Sequence, residues 1–201
     1  AVLGCAAVVT AQTVTSQNIV GYSKITATSG ELSLVAVNFE TGGLTVGEMF
    51  DALPTSSYVY LWDKAGGVYI SCQKGRSGFS PDPVVDLGDA LWLKPAGAGT
   101  FDVILAGEVL LAETNVVGTV DSIQATGLYY PTAVAFGTTS LAGQLPTSSY
   151  LYIWNGATYD SYQKGRSGWG AGDTAIIDVS EGFWIKPNAP FSWEEERPFT
   201  P

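Results

Sequence analysis

The sequence contains no histidine. That absence removes the commonest general base, every Ser-His triad and every histidine-containing metal site. Basic residues are nearly as scarce: 9 Lys and Arg stand against 19 Asp and Glu, for a net charge of -10. A surface of that sign repels a phosphate backbone and an anionic lipid surface alike, so neither is an expected partner. No apolar run approaches the roughly 20 residues of a membrane-spanning helix, so no membrane span is expected. Cysteine is limited to Cys5 and Cys72. These two can bridge in an oxidising compartment or stay as thiols; neither case makes a disulfide-framed scaffold.

What is present is apolar, aromatic and rich in glycine: 46% hydrophobic residues, 24 Gly, and 6 Trp, 10 Tyr and 8 Phe. Such a chain can build a core, and its low charge with many Thr, Val and Ser suggests a secreted β-protein at the cell surface or beyond. The amino terminus, AVLGCAAVVTAQ, is an apolar run whose Val9-Thr10-Ala11 fits the small-residue pattern before a signal-peptidase cut at Gln12. Residues 1–16 are therefore expected to be either a signal remnant or an inserted strand. In the second case Ala6, Ala7, Val8, Val9, Thr10, Ala11 and Val14 would pair with the strand edge of a neighbouring subunit.

The remainder is written twice. QKGRSG at 73–78 returns unchanged at 163–168, and LPTSSYVYLW at 53–62 returns as LPTSSYLYIW at 145–154. WLKP at 92–95 returns as WIKP at 184–187, and NIVGYSKI at 18–25 is loosely echoed by NVVGTVDSI at 115–123. The expectation is a tandem duplication of a unit of about 90 residues, with repeat 1 over 17–111 and repeat 2 over 112–201. Tyr162 stands where repeat 1 has Cys72, so neither cysteine belongs to the shared framework.

Within each unit the hydrophobic period is two. Tyr58, Tyr60 and Trp62 share one face of a strand and Val59 and Leu61 the other; Tyr150, Tyr152, Trp154, Leu151 and Ile153 repeat the pattern. GGVYISCQ and ATYDSYQ read as return strands after tight turns, QKGRSG as the loop leaving each hairpin, and DALWLKP and EGFWIKP as strands stopped by proline. Thr45 and Glu48 form a capping box for one short helix, whereas TTSLAGQLP at 138–146 lacks the Glu and reads as a turn. The fold expected is all-β: two homologous sandwich- or barrel-like units with at most one or two short helices. The pattern LPTSSY-x-Y-x-W…Y…G-x-x-x-W-x-KP resembles the uncharacterised β-rich repeat modules of secreted proteins of Gram-negative bacteria. That resemblance implies secretion and a surface role, with no activity attached.

Candidate chemistry is thin. Ser71-x-x-Lys74 and Ser161-x-x-Lys164 have the spacing of a serine nucleophile and its lysine, but on a strand those positions face opposite ways. Asp82, Asp86 and Asp89, echoed by Asp173, Asp178 and Glu181, lack the spacing of a calcium loop, and polar strand edges would look the same. No catalytic residue, metal or cofactor is expected, and the chain is not expected to be an enzyme. Lys74, Arg76, Lys164 and Arg166 form basic islands, either solvated turns or contacts to a subunit or an acidic sugar. Phe79 and Trp169, directly after the glycine turn, are the aromatics expected to be exposed and able to stack on a ligand. Two functions follow as expectations. The first is a secreted self-assembling structural protein, the subunit of a filament or surface layer whose partners are other copies of itself. The second is a bivalent carbohydrate-binding surface protein for extracellular glycans.

Overall fold

The structure is a computed structural model that describes residues 19–200. It is all-β, with 46% strand and 9% helix. The first half of the chain forms β1 (Val20–Thr28), β2 (Ser33–Ala36), α1 (Val46–Met49), β3 (Tyr58–Asp63), β4 (Val68–Gly75), β5 (Gly78–Ser80), β6 (Ala90–Lys94) and β7 (Thr100–Glu108). The second forms β8 (Thr114–Val120), β9 (Gln124–Thr126), β10 (Val134–Ala135), α2 (Ser140–Gln144), β11 (Tyr150–Trp154), β12 (Tyr159–Gln163), β13 (Ile176–Ile177), β14 (Phe183–Lys186) and β15 (Phe191–Glu196). Short 3-10 turns at Phe136–Thr138 and Gly170–Thr174 complete it.

One strand order recurs. The first sheet runs β2-β6-β3-β4-β5 and the second β9-β14-β11-β12, while β1 pairs with β7 and β8 with β15 as separate two-stranded ribbons. All these pairings are antiparallel. The alternation in YVYLW decides which face meets what. Val59, Leu61, Cys72, Leu91 and Leu93 point into a core closed by Val46, Met49 and Phe50 around α1 and by Ala27, Val103 and Leu105 of the ribbon. Leu151, Ile153, Phe183 and Ile185 do the same in the second half, against Phe136, Leu141 and Trp193. Thr45 caps α1 as a full capping box, its hydroxyl accepting from Glu48 N while Thr45 N donates to the Glu48 carboxylate. The stretch read as a turn is a helix: Thr139 caps α2 by accepting from Ala142 N, which needs no Glu.

The opposite, aromatic faces pack on each other across an approximate two-fold axis. Trp62 meets Trp184 edge-on at 4.8 Å, and Trp92 meets Trp154 at 5.1 Å. Tyr69 lies 6.1 Å from Trp184, and Tyr159 lies 6.4 Å from Trp92. The backbone repeats the symmetry: Ala36 N donates to Ser180 O (2.9 Å) and Gly127 N to Gly88 O (3.2 Å). Leu34 and Ala125 sit opposite the equivalent tryptophans Trp92 and Trp184, so Ala36 and Gly127, two residues on, are counterparts that meet at the axis. A Cβ on Gly127 would lie 2.2 Å from that of Ala36, which is why only one of the two can carry a methyl group.

Candidate functional site

The repeated words LPTSSY, QKGRSG and W-x-KP converge on one end of each central sheet. Tyr58 of β3 stands directly opposite Gln73 of β4 on one side and Lys94 of β6 on the other, so the three side chains share one face. The second half repeats the row as Gln163, Tyr150 and Lys186. Two residues along the strands, on the same face, lie Ser71 and Tyr60, or Ser161 and Tyr152. The two tyrosines of each half stack in parallel, 5.7 Å apart for Tyr58–Tyr60 and 5.9 Å for Tyr150–Tyr152.

The connection before each row is held tightly. Ser56 and Ser148 take left-handed backbone angles, φ 71° and 69°, at a cost on the order of 1 kcal/mol each. In return Ser56 N donates to Lys74 O (2.7 Å) and Ser148 N to Lys164 O (2.8 Å). Ser57 and Ser149 are fully buried, and their hydroxyls accept from the N–H after each Lys-Pro: Ala96 N in one half and Asn188 N in the other, both at 3.0 Å. LPTSSY, QKGRSG and W-x-KP are thus three walls of one local structure, built twice. A depression of about 230 Å³ opens beside Tyr58 and Lys94, with Ser29, Gly30 and Ser56 in its wall. Ser29 Oγ has no hydrogen-bond partner among the described residues. On the second half an apolar groove of about 230 Å³ runs beside Tyr152, lined by Ile123, Tyr159 and Trp184.

The expected site residues divide sharply. QKGRSG is not a loop leaving a hairpin. β4 continues through Gly75, Arg76 and Ser77 make a two-residue turn, and β5 returns from Gly78, whose φ of 114° the turn requires. Gly165 and Gly168 bridge the same turn in the second half. Arg76 and Arg166 sit exposed at the two turn tips. Phe79 and Trp169, expected to be exposed, are 8% and 4% exposed. Both point inward because they alternate with the outward face: Phe79 stands opposite Lys74 and joins the first core, and Trp169 packs edge-on against Phe136 at 5.1 Å while Nε1 donates to Ala142 O. Neither ring is therefore a stacking surface for a ligand.

Lys74 and Lys164 also turn away from the aromatic row. Lys74 pairs with Asp51 at 2.9 Å and reaches its backbone carbonyl. Lys164 Nζ donates to the carbonyls of Ala142, Gly143 and Leu145, closing the end of α2, and burial lowers its pKa. Ser71 and Lys74 lie on opposite faces of β4, as strand geometry demands. Asp82 caps α1 through Gly47 N and the Thr45 hydroxyl, and Asp89 takes Asp86 N and the Lys64 ammonium. No carboxylate group fit to hold a metal forms among the described residues. Cys72 is a buried free thiol, its pKa pushed up to about 11 by burial and by the Asp82 charge. Cys5, and the residues assigned to subunit pairing, Ala6, Ala7, Val8, Val9, Thr10, Ala11 and Val14, lie outside the described residues.

Two other features bear on function. The β1–β7 ribbon has nine residue pairs, β7 also bridges Glu40 through Glu108, and the outer face exposes Val20 (69%), Tyr22 (77%) and Ile104 (53%). In the second half Glu195 is buried at 4% exposure beside Tyr129, whose N–H donates to Oε1, while Oε2 has no partner among the described residues. Burial pushes its pKa up to about 8, opposed by the Tyr129 N–H. A search of family models, of curated proteins and of solved structures finds no match to this chain.

Proposed function

We propose that the protein is a secreted, bivalent carbohydrate-binding protein with one site at the Gln73–Tyr58–Lys94 row and one at the Gln163–Tyr150–Lys186 row. The observation that carries this reading is the convergence of the repeated words LPTSSY, QKGRSG and W-x-KP on those two places. Buried positions changed between the halves, Val59 to Leu151, Cys72 to Tyr162 and Phe79 to Trp169, while outward Tyr, Gln, Ser and Lys stayed the same. Packing tolerates such change at apolar positions and gives no reason to hold exposed polar ones. A tyrosine beside an amide, a hydroxyl and an ammonium suits a sugar, whose C–H face stacks while its hydroxyls bond to the polar flanks. Two equivalent sites in one chain suit a polymer of repeating units, which gains affinity by avidity. The test is binding of the full chain to a panel of neutral and acidic polysaccharides, against Tyr58→Ala with Tyr150→Ala, with near-UV circular dichroism to check the fold. Binding that disappears in the double variant supports the reading. A full chain that binds nothing on the panel ends it.

A second reading, a self-assembling structural subunit, is favoured by the β1–β7 ribbon. Its exposed Val20, Tyr22 and Ile104 offer an apolar surface for a second copy. Light scattering of the chain across a concentration series checks it: assembly abolished by Tyr22→Lys with Ile104→Lys supports it, and a monomer at every concentration rejects it.

A further inference from the structure

Among the described residues five cationic side chains have partners and four have none. Lys24 pairs with Asp102 at 2.7 Å, Lys64 with Asp89 at 2.9 Å and Lys74 with Asp51. Lys164 holds the α2 carbonyls, and Arg197 donates to Phe199 O at 2.9 Å and to Leu111 O. Among the described residues the side chains of Arg76, Lys94, Arg166 and Lys186 have no ion pair or hydrogen bond. On a protein of net charge -10, carboxylates are abundant, so four unpaired cations are not a matter of supply. They also fall at equivalent positions, two in each half, and all at the end of the sheet that holds the tyrosine rows.

The spacing is that of an extended ligand. Lys94 is beside Tyr58 in the row, whereas Arg76 lies on the exposed turn that follows β4, three residues past Gln73 and so about 10 Å further along the chain. A ligand with one isolated charge would meet only one of the two. A chain with an anion on successive units can meet both while a ring lies on Tyr58. We infer that the two sites take an anionic polysaccharide, its carboxylates held by Lys94 and Arg76 in one half and by Lys186 and Arg166 in the other. The inference rests on the carbohydrate-binding reading and adds the charge of the ligand. The same charge logic gives selectivity: a net charge of -10 disfavours an anionic polymer elsewhere, where the other cations are already paired or hydrogen-bonded, and favours the four unpaired ones.

The experiment uses the full chain with polygalacturonate and with the same polymer fully methyl-esterified, which keeps the rings and loses the charge. Titration calorimetry is run at low and high salt. Polygalacturonate is expected to bind, to weaken as salt rises, and to weaken about tenfold or more when Lys94→Gln is combined with Lys186→Gln. Arg76→Gln with Arg166→Gln should add to that loss, and Lys24→Gln, a paired cation on the ribbon, should leave affinity unchanged. Equal binding of the acidic and esterified polymers overturns the inference and leaves the carbohydrate reading standing. Binding of neither polymer overturns the inference, and the neutral members of the wider panel then decide the reading itself. Equal losses in Lys24→Gln and Lys94→Gln would reduce the effect to net charge and also overturn it.

Discussion

Replacing Glu195 by glutamine probes the electrostatics of the second core. Glu195 sits under Tyr129 with its carboxyl buried, and its pKa lies at about 8 against an ordinary 4.5. For an acid whose folded pKa is raised, the folded state holds the proton that the unfolded state has released. Stability therefore falls as pH rises from about 4.5 to about 8 and is flat outside that window for this group. The rise from 4.5 to about 8, at roughly 1.4 kcal/mol for each pH unit, sets the full loss at about 5 kcal/mol. Because the side chain is almost fully buried, solvent screening removes little of it. That is a large share of the roughly 5–15 kcal/mol by which a domain is stable. The amide introduced by Glu195→Gln would copy the protonated form: its carbonyl can still accept from Tyr129 N, and it cannot ionise. Urea unfolding followed by tryptophan fluorescence, at steps from about pH 4.5 to about pH 9, gives the stability difference between the two proteins. The expected result is near equality at the acid end and a growing advantage for Glu195→Gln up to about pH 8 or above. Asp102, whose pKa the Lys24 ammonium and the Thr26 hydroxyl lower, contributes the opposite slope at acid pH in both proteins and cancels. A stability difference that does not change with pH would refute the reasoning.

Three more outcomes are expected. Gly127→Ala should destabilise by about 1–3 kcal/mol in thermal or urea unfolding, because its methyl group would overlap that of Ala36, and Ala36→Gly should restore the loss when combined with it. Lys164→Met should cost about 1–3 kcal/mol by the same assays, since three carbonyls at the end of α2 lose their common donor. Cys72 should stay unreactive to a thiol-specific disulfide reagent at about pH 8 in the folded protein and react at once in denaturant, because it is buried and its pKa is about 11; labelling of the native protein at the rate of a free thiol would contradict its placement.

How far the sequence reveals the structure depends on whether the deciding contacts are local. The face-by-face alternation of Tyr58 to Trp62 is legible because a strand's period is two and both neighbours in the sheet respect it. The Thr45 capping box is legible because both its hydrogen bonds span three residues. α2 escapes a search for the full box: a threonine hydroxyl suffices as a cap, and the carbonyls at the far end are met by Lys164, just past the end of β12 and well downstream. QKGRSG resembles a break because glycine normally interrupts strands. Here Gly78 is what allows the turn, and the strands run straight through it. The inward placement of Phe79 and Trp169 follows from that turn and is readable from the alternation once the hairpin is recognised. Lys94 and Lys186 escape notice for another reason. W-x-KP has the form of a strand ended by proline, and nothing local shows that a lysine will stand next to Tyr58 or that it will lack a carboxylate.

The pairing of Ala36 with Gly127 also bears on how separate molecules of this protein treat one another. The aromatic seam is the kind of surface that two chains could exchange, each half leaving its own partner for the matching half of a neighbour. A contact between two first halves in this geometry would set Ala36 against Ala36, with methyl groups as close as the 2.2 Å that Gly127 avoids. A first half therefore accepts only a second half. Its covalently linked one is always nearest, at the high effective concentration that a short connection between β7 and β8 imposes. One missing methyl group thus biases a sticky, tryptophan-rich surface toward closing within its own chain and leaves the two tyrosine rows free to face outward.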